Sequence, residues 1–118
     1  MTLCLLLTML CFVSCASMNT FEKRLEKEGY VVEIIDEDDL EGLVDLDFND
    51  YKTKKALVAI KELSEIVYII ECGNPFAAKD LVDDIKGEIG DRAEVEIKQS
   101  FNYVIFGTED AVEDALGK

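Results

Sequence analysis

The stretch ALVAIKELSEIVYIIEC, residues 56–72, decides the fold because two apolar runs flank a short polar segment. The runs cover Ala56 to Ile60 and Ile66 to Cys72, and the polar segment covers Lys61 to Glu65. Both runs are short and rich in Val, Ile and Tyr, which favour strands over helices. The stretch therefore predicts a β-hairpin.

The sequence after the hairpin predicts a helix, two strands and a last helix. Gly73-Asn74-Pro75 marks the first boundary, with Asn74 as the helix cap and Pro75 at the first helical position. Apolar residues then recur at helical spacing, so we expect this helix to be the main packing partner of the sheet. The recurring residues are Ala78, Leu81, Val82, Ile85 and Ile89.

Alternation of apolar and charged residues from Ala93 to Lys98 predicts a strand with one solvated face. Gln99 to Asn102 turn the chain into a second strand, Tyr103 to Phe106. Gly107 and Thr108 lead into the last helix. Its buried side is expected to consist of Ala111, Val112, Ala115 and Leu116.

The sequence before the hairpin predicts one helix and one strand. Asn19 or Thr20 is expected to cap the helix. Phe21 and Leu25 form a thin buried stripe, and Gly29 ends the helix. The β-branched segment Tyr30 to Ile35 predicts the strand.

These elements predict an α+β fold in the order α-β-β-β-α-β-β-α. The expected architecture is a small antiparallel sheet of about four to five strands with the helices packed on one face. The ββα pattern occurs twice, which leaves an internal duplication open. Residues 20–118 are expected to form this single acidic domain.

Residues 36–50 are acidic, lack a clean period and predict a loop with room for one helical turn. With Gly42 at the sixth position of an EF-hand loop, four carboxylates fall on ligand positions, but Phe48 occupies the position of the required final Glu. The sequence therefore does not match the EF-hand motif. Two interpretations of the segment stay open, a loose calcium site and a solvated loop without metal. Its candidate ligands are Glu37, Asp39, Glu41 and Asp45.

The first 16 residues carry no charge, and their apolar run from Leu3 to Val13 is 11 residues long. A transmembrane helix needs roughly 17 to 25 residues, whereas this length suits the apolar region of a signal peptide. The positive residue that usually precedes such a run is missing.

At the end of this run, Phe12-Val13-Ser14-Cys15 resembles the bacterial lipobox, with Phe12 in place of the usual Leu. The resemblance implies a signal peptide of residues 1–14, recognised through Phe12, Val13 and Ser14. It also implies a lipidated Cys15 at the start of a tether of residues 15–19. Several acyl chains then anchor the domain on the extracytoplasmic face of the cell membrane.

Two other interpretations of the leader stay open. Ser14 and Ala16 fit an ordinary cleavage site that releases a soluble protein from Ser17 onward. The second interpretation is an uncleaved apolar helix buried in the fold, although nothing polar defines its outer face.

The domain also resembles small uncharacterised lipoproteins of Gram-positive anaerobes. The resemblance is carried by a helix ending in Gly29-Tyr30 and by the closing segment Val104 to Val112. It implies no activity, because no catalytic residues are established for that group.

Composition narrows the possible chemistry. The formal net charge is −14 and all charged residues follow residue 20, which argues against a nucleic-acid partner. The chain has no His, and only Cys72 lies beyond the leader, which removes a hydrolytic triad, the usual zinc ligands and a disulfide framework. We expect Cys72 to be a buried structural residue, and we expect neither a cofactor nor an enzymatic activity.

The sequence therefore predicts a non-enzymatic, membrane-anchored binding module that meets a protein partner. The strand at Tyr30 to Ile35 is one edge at which a partner strand could add. The alternative is a secreted acidic inhibitor or immunity-type protein that blocks a basic partner through charge complementarity.

Overall fold

The computed structural model describes residues 18–36, 39–40, 51–62, 64–89 and 94–117. Within these ranges the chain forms three helices and five strands in the predicted order. The elements are α1 (Met18–Lys27), β1 (Val31–Ile35), β2 (Lys55–Lys61), β3 (Glu65–Glu71), α2 (Pro75–Ile89), β4 (Glu96–Ser100), β5 (Tyr103–Gly107) and α3 (Glu109–Leu116). The predicted α+β class and element order are confirmed.

The five strands form one antiparallel sheet in the order β1-β2-β3-β5-β4. The hairpin predicted from residues 56–72 is β2–β3, in which Lys61 pairs with Glu65 at the closed end. The second hairpin is β4–β5, with Ser100 opposite Tyr103. Both connections contain a residue with positive φ, Glu62 at 55° and Phe101 at 54°. The sheet therefore leaves β1 at one edge and β4 at the other.

The prediction that the helices share one face of the sheet is wrong. Helices α1 and α3 cover one face, where they pack on Leu57, Ile69 and Ile105. Helix α2 covers the opposite face, where it packs on Ile70 and Val104. The central strands are apolar on both faces, as in sheets that are buried on both sides, so each face needs its own cover.

Three helix ends follow from local chemistry, and those at Asn74 and Gly29 were predicted. The backbone N–H of Ala77 donates to Asn74 Oδ1 at 2.8 Å, which confirms Asn74 as the cap of α2. Gly29 after α1 has a φ of 97°, and Gly117 after α3 has a φ of 78°. Both glycines provide the left-handed residue with which helices commonly end.

Two boundaries differ from the prediction. Helix α1 begins at Met18, so Met18 and Asn19, which were assigned to the tether, belong to the helix. The predicted cap at Asn19 or Thr20 is therefore wrong, because both residues lie within the helix. Met18 is buried in the same apolar cluster as Phe21 and Leu25, which explains why the helix extends to it. Strand β4 begins at Glu96, and Ala93 lies outside the described residues.

Candidate functional site

The residues predicted from the leader and the acidic loop fall almost entirely outside the described part of the chain. Outside it lie Phe12, Val13, Ser14, Cys15, Glu37, Glu41 and Asp45. Asp39 is described and exposed, and it exchanges hydrogen bonds with Asp36 over 3.2 and 3.3 Å between backbone N–H groups and carboxylates. Such local bonds are typical of a chain turn. Calcium binding at this loop stays a prediction.

Cys72 is buried next to the end of β3. Its backbone N–H donates to the carbonyl of Asn102 at 2.8 Å, and Asn102 Nδ2 donates to the Cys72 carbonyl at 2.9 Å. Burial, helped by the nearby charge of Glu71, raises the pKa of the Cys72 thiol to about 11. At neutral pH the thiol is therefore protonated and is a poor nucleophile, which matches the structural role predicted for it.

Strand β1 presents an open edge. Among the described residues its one strand neighbour is β2, and none of them pairs with the backbone N–H and C=O groups on its other side. Val31 is 76% exposed and Ile34 is 56% exposed, although both are large and apolar. Because side chains alternate along a strand, Val31 points to the α2 face of the sheet and Ile34 to the opposite face.

The α2 face is only partly covered. Helix α2 packs against β4 and β5, at the far side of the sheet from β1. Away from α2, four side chains of this face are exposed or half-buried, and they pair across the strands as Val31 with Ile60 and Val58 with Tyr68. We call Val31, Val58, Ile60 and Tyr68 the uncovered strip. It runs from the open edge to Tyr68, whose ring stacks on Phe106 at 5.2 Å.

Two shallow hollows lie along the uncovered strip. The first, of about 320 Å³, is lined by Val31, Glu33, Val58, Ile60 and Glu62. The second, of about 240 Å³, is lined by Glu33, Ile35, Asp39, Val58 and Tyr68. Glu33 belongs to both, and the charged residues in each lining are acidic. The strip therefore combines an apolar floor with a negative potential.

An acidic basin of about 360 Å³ adjoins the first hollow, with which it shares Glu62. Its lining consists of Glu28, Tyr30, Lys61, Glu62, Glu65, Asp110, Glu113 and Asp114. The Tyr30 hydroxyl donates to Asp114 Oδ2 at 2.8 Å, and Lys61 Nζ lies 5.6 Å from the centre of the Tyr30 ring. Burial, together with the Asp114 hydrogen bond, raises the pKa of Tyr30 well above its ordinary value. Tyr30 is thus a buried anchor between β1 and α3, and the rest of the lining is a strongly negative surface.

Three carboxylates meet where β4 passes α3. One oxygen each from Glu96, Glu109 and Glu113 lies within 4.8 Å of the others. Glu96 Oε1 pairs with Lys98 Nζ at 3.5 Å, and Glu96 Oε2 is buried without a hydrogen-bond partner among the described residues. Calcium takes roughly six to eight oxygen ligands, more than three side chains supply unless water completes the shell. Sequence reasoning missed this cluster, because its one local signal is the four-residue spacing of Glu109 and Glu113.

Comparisons of the chain with protein-family models, with curated proteins and with solved structures found no match. Within the described ranges, no helix combines the length and the apolar composition that crossing a bilayer requires. Among the described residues, the open edge of β1, the uncovered strip and the acidic surfaces are the features that bear on function.

Proposed function

We propose that this chain is a lipid-anchored, extracytoplasmic binding module, without catalysis of its own, that takes a partner protein along the outer edge of β1. The observation that supports this proposal is the open edge itself, with two large apolar side chains exposed beside it. An added strand would satisfy the free backbone groups of β1 and would bury Val31 and Ile34.

Within the described part of the chain, the edge of β1 lacks most of the features that normally protect an edge strand. Soluble proteins block edge strands with Lys, Pro, bulges or covering elements, because an open edge pairs with other chains. Strand β1 reads Val-Val-Glu-Ile-Ile, without Lys or Pro, and Glu33 is its one charge. The uncovered strip continues the apolar surface inward from this edge, so a bound segment gains burial as well as hydrogen bonds.

The cellular location in this proposal is inferred from the leader, residues 1–14. Acylation at Cys15 would hold the domain on the outer face of the membrane, as the lipobox resemblance implies. A net charge of −14 favours a domain that stands away from the anionic lipid surface. The edge would then be open to partners outside the cell.

Lipidation is tested by metabolic labelling with a fatty acid in a bacterial host that processes lipoproteins. We expect the wild type to incorporate label and Cys15→Ala to lose it, because the thioether forms on that sulfur. Cys11→Ala is the matched control, since it removes another leader cysteine, and it should keep the label. Absence of label from the wild type, or its persistence in Cys15→Ala, would refute the anchor.

Use of the edge is tested by photo-cross-linking on intact cells. The photoreactive residue p-benzoylphenylalanine is placed at Ile34 or, as control, at Phe76, which is 80% exposed on α2. We expect an adduct of higher mass at position 34 and none at position 76. Adding Val31→Lys should abolish the adduct, because a lysine on an edge strand opposes pairing. Equal adducts at both positions, or no effect of Val31→Lys, would contradict the proposal.

The acidic basin favours a second candidate function, that of a secreted acidic inhibitor of a basic partner. Six carboxylates and one lysine line it. This alternative requires release without lipid, contact through the basin rather than the edge, and association that slows steeply as salt is added. The absence of label combined with adducts at Asp110 but not at Ile34 would support it.

A further inference from the structure

We infer that the segment received at the outer edge of β1 is an extended strand with a central Lys or Arg flanked by aliphatic side chains. This inference rests on the proposed function, since it names the chemistry of the partner at the same edge. It depends on the position of Glu33 within β1 and on the surfaces at both sides of that residue.

Glu33 lies at the centre of β1, opposite Val58 of β2, and points to the α2 face. It is exposed, and no described residue forms an ion pair with it. The two hollows that share Glu33 also contain Glu62 and Asp39, and neither is lined by Lys or Arg. An added strand would place one side chain beside Glu33 on this face, and opposite charges at such a cross-strand position attract.

The residues on both sides of Glu33 call for apolar partners. Val31 is 76% exposed above the first hollow, and Ile35 lines the second. On the other face of the sheet, Ile34 is 56% exposed. A strand bound beside β1 would therefore contact aliphatic side chains on either side of one carboxylate. The strand that complements β1 has aliphatic residues on either side of one Lys or Arg.

A second copy of this chain is a poor occupant of the edge. Antiparallel pairing of two β1 strands about their centres sets Glu33 of one copy against the same residue of the other. Like charges directly opposite each other destabilise a strand pair. Each copy also carries a net charge of −14, so approach of the two is opposed over the whole surface. The charge of Glu33 thus disfavours self-association by repulsion, and it favours a basic segment by attraction.

The test uses two synthetic peptides and the full 118-residue chain purified in detergent. One peptide carries Val-Val-Lys-Ile-Ile between Gly and Ser residues, and its match carries Val-Val-Glu-Ile-Ile, the sequence of β1 itself. Fluorescence anisotropy should show the lysine peptide binding about ten-fold more tightly than the glutamate peptide, with a smaller ratio at high salt.

Variants assign this preference to Glu33. We expect Glu33→Lys to reverse it, because the charge facing the peptide is reversed. Glu26→Lys makes the same change at an exposed position of α1 and should leave the preference as in the wild type. Val31→Lys should weaken binding of the lysine peptide at least ten-fold, because it removes an apolar contact and adds a like charge at the edge.

Each failure has a distinct meaning. The proposed partner chemistry would be overturned if the two peptides bound equally, if neither bound, or if Glu33→Lys left the preference unchanged. The cross-linking at Ile34 tests separately whether a partner binds at the edge of β1. Unchanged binding in Val31→Lys would place the peptide elsewhere and overturn both proposals. A dimer seen by light scattering that Val31→Lys dissociates would make a second copy the occupant and overturn the inference.

Discussion

Gly107→Ala is expected to lower the free energy of unfolding by about 3 kcal/mol, because the added methyl group meets backbone that has little room to move. Gly107 ends β5 and is paired with both β3 and β4. A Cβ atom there would overlap the carbonyl oxygen of Ile66 and would lie 2.7 Å from Val67 Cα. Urea denaturation followed by circular dichroism measures the loss, and thermal unfolding should show a midpoint lower by roughly 15 °C.

Gly87→Ala is the matched control for this substitution. Gly87 is an exposed residue within α2, and a Cβ atom there has no neighbour within 4 Å. Alanine is favoured over glycine in a helix, so we expect this variant to gain about 0.5 to 1 kcal/mol. If Gly107→Ala unfolded at the same urea concentration as the wild type, the close pairing of β5 with β3 would be refuted.

Phe21→Ala is expected to cost about 3 to 5 kcal/mol, the usual range for removing a buried aromatic ring. Phe21 is 2% exposed, and its ring meets that of Tyr103 edge to face at a centroid distance of 5.1 Å. It holds α1 on the sheet beside α3, where Arg24 Nη1 donates to the carbonyl of Ala115 at 2.8 Å. The loss is measured by the same urea titration.

The control for the aromatic substitution is Phe76→Ala. Phe76 is 80% exposed near the start of α2, and exposed substitutions usually change stability by less than about 0.5 kcal/mol. A small effect of Phe21→Ala, comparable to that of Phe76→Ala, would mean that α1 is not part of the packed core. The two phenylalanines thus separate burial from residue type.

The candidate site shows where sequence reasoning succeeded and where it did not. A strand around residues 31–35 that lies at an edge of the sheet was expected, and the structure places β1 at the edge of the described sheet. The uncovered strip was not expected, because exposure of Val58 and Ile60 depends on where α2 crosses the sheet. The carboxylate cluster was missed for a related reason, since Glu96 reaches Glu109 and Glu113 only after β4 and α3 have packed.

The identity and order of the elements were determined by the sequence alone. Period-two and helical spacings, Asn74 before Pro75, and Gly29 after α1 act over a few residues, and such local patterns specify which elements form. The assignments to Cys15 and to calcium ligands in the acidic loop stay predictions, because all of these residues except Asp39 lie outside the described part of the chain.

The tertiary structure alone decided which face of the sheet each helix covers. An apolar pattern predicts that a side chain is buried, but it does not predict the element against which the side chain packs. The reason is that the free energy of burial depends on the apolar area removed from water and has no direction. Ile69 and Ile70 are neighbours in one apolar run, yet they pack under different helices. The same long-range packing left Val31, Val58 and Ile60 exposed or half-buried on the α2 face, and it thereby created the surface on which the proposed function depends.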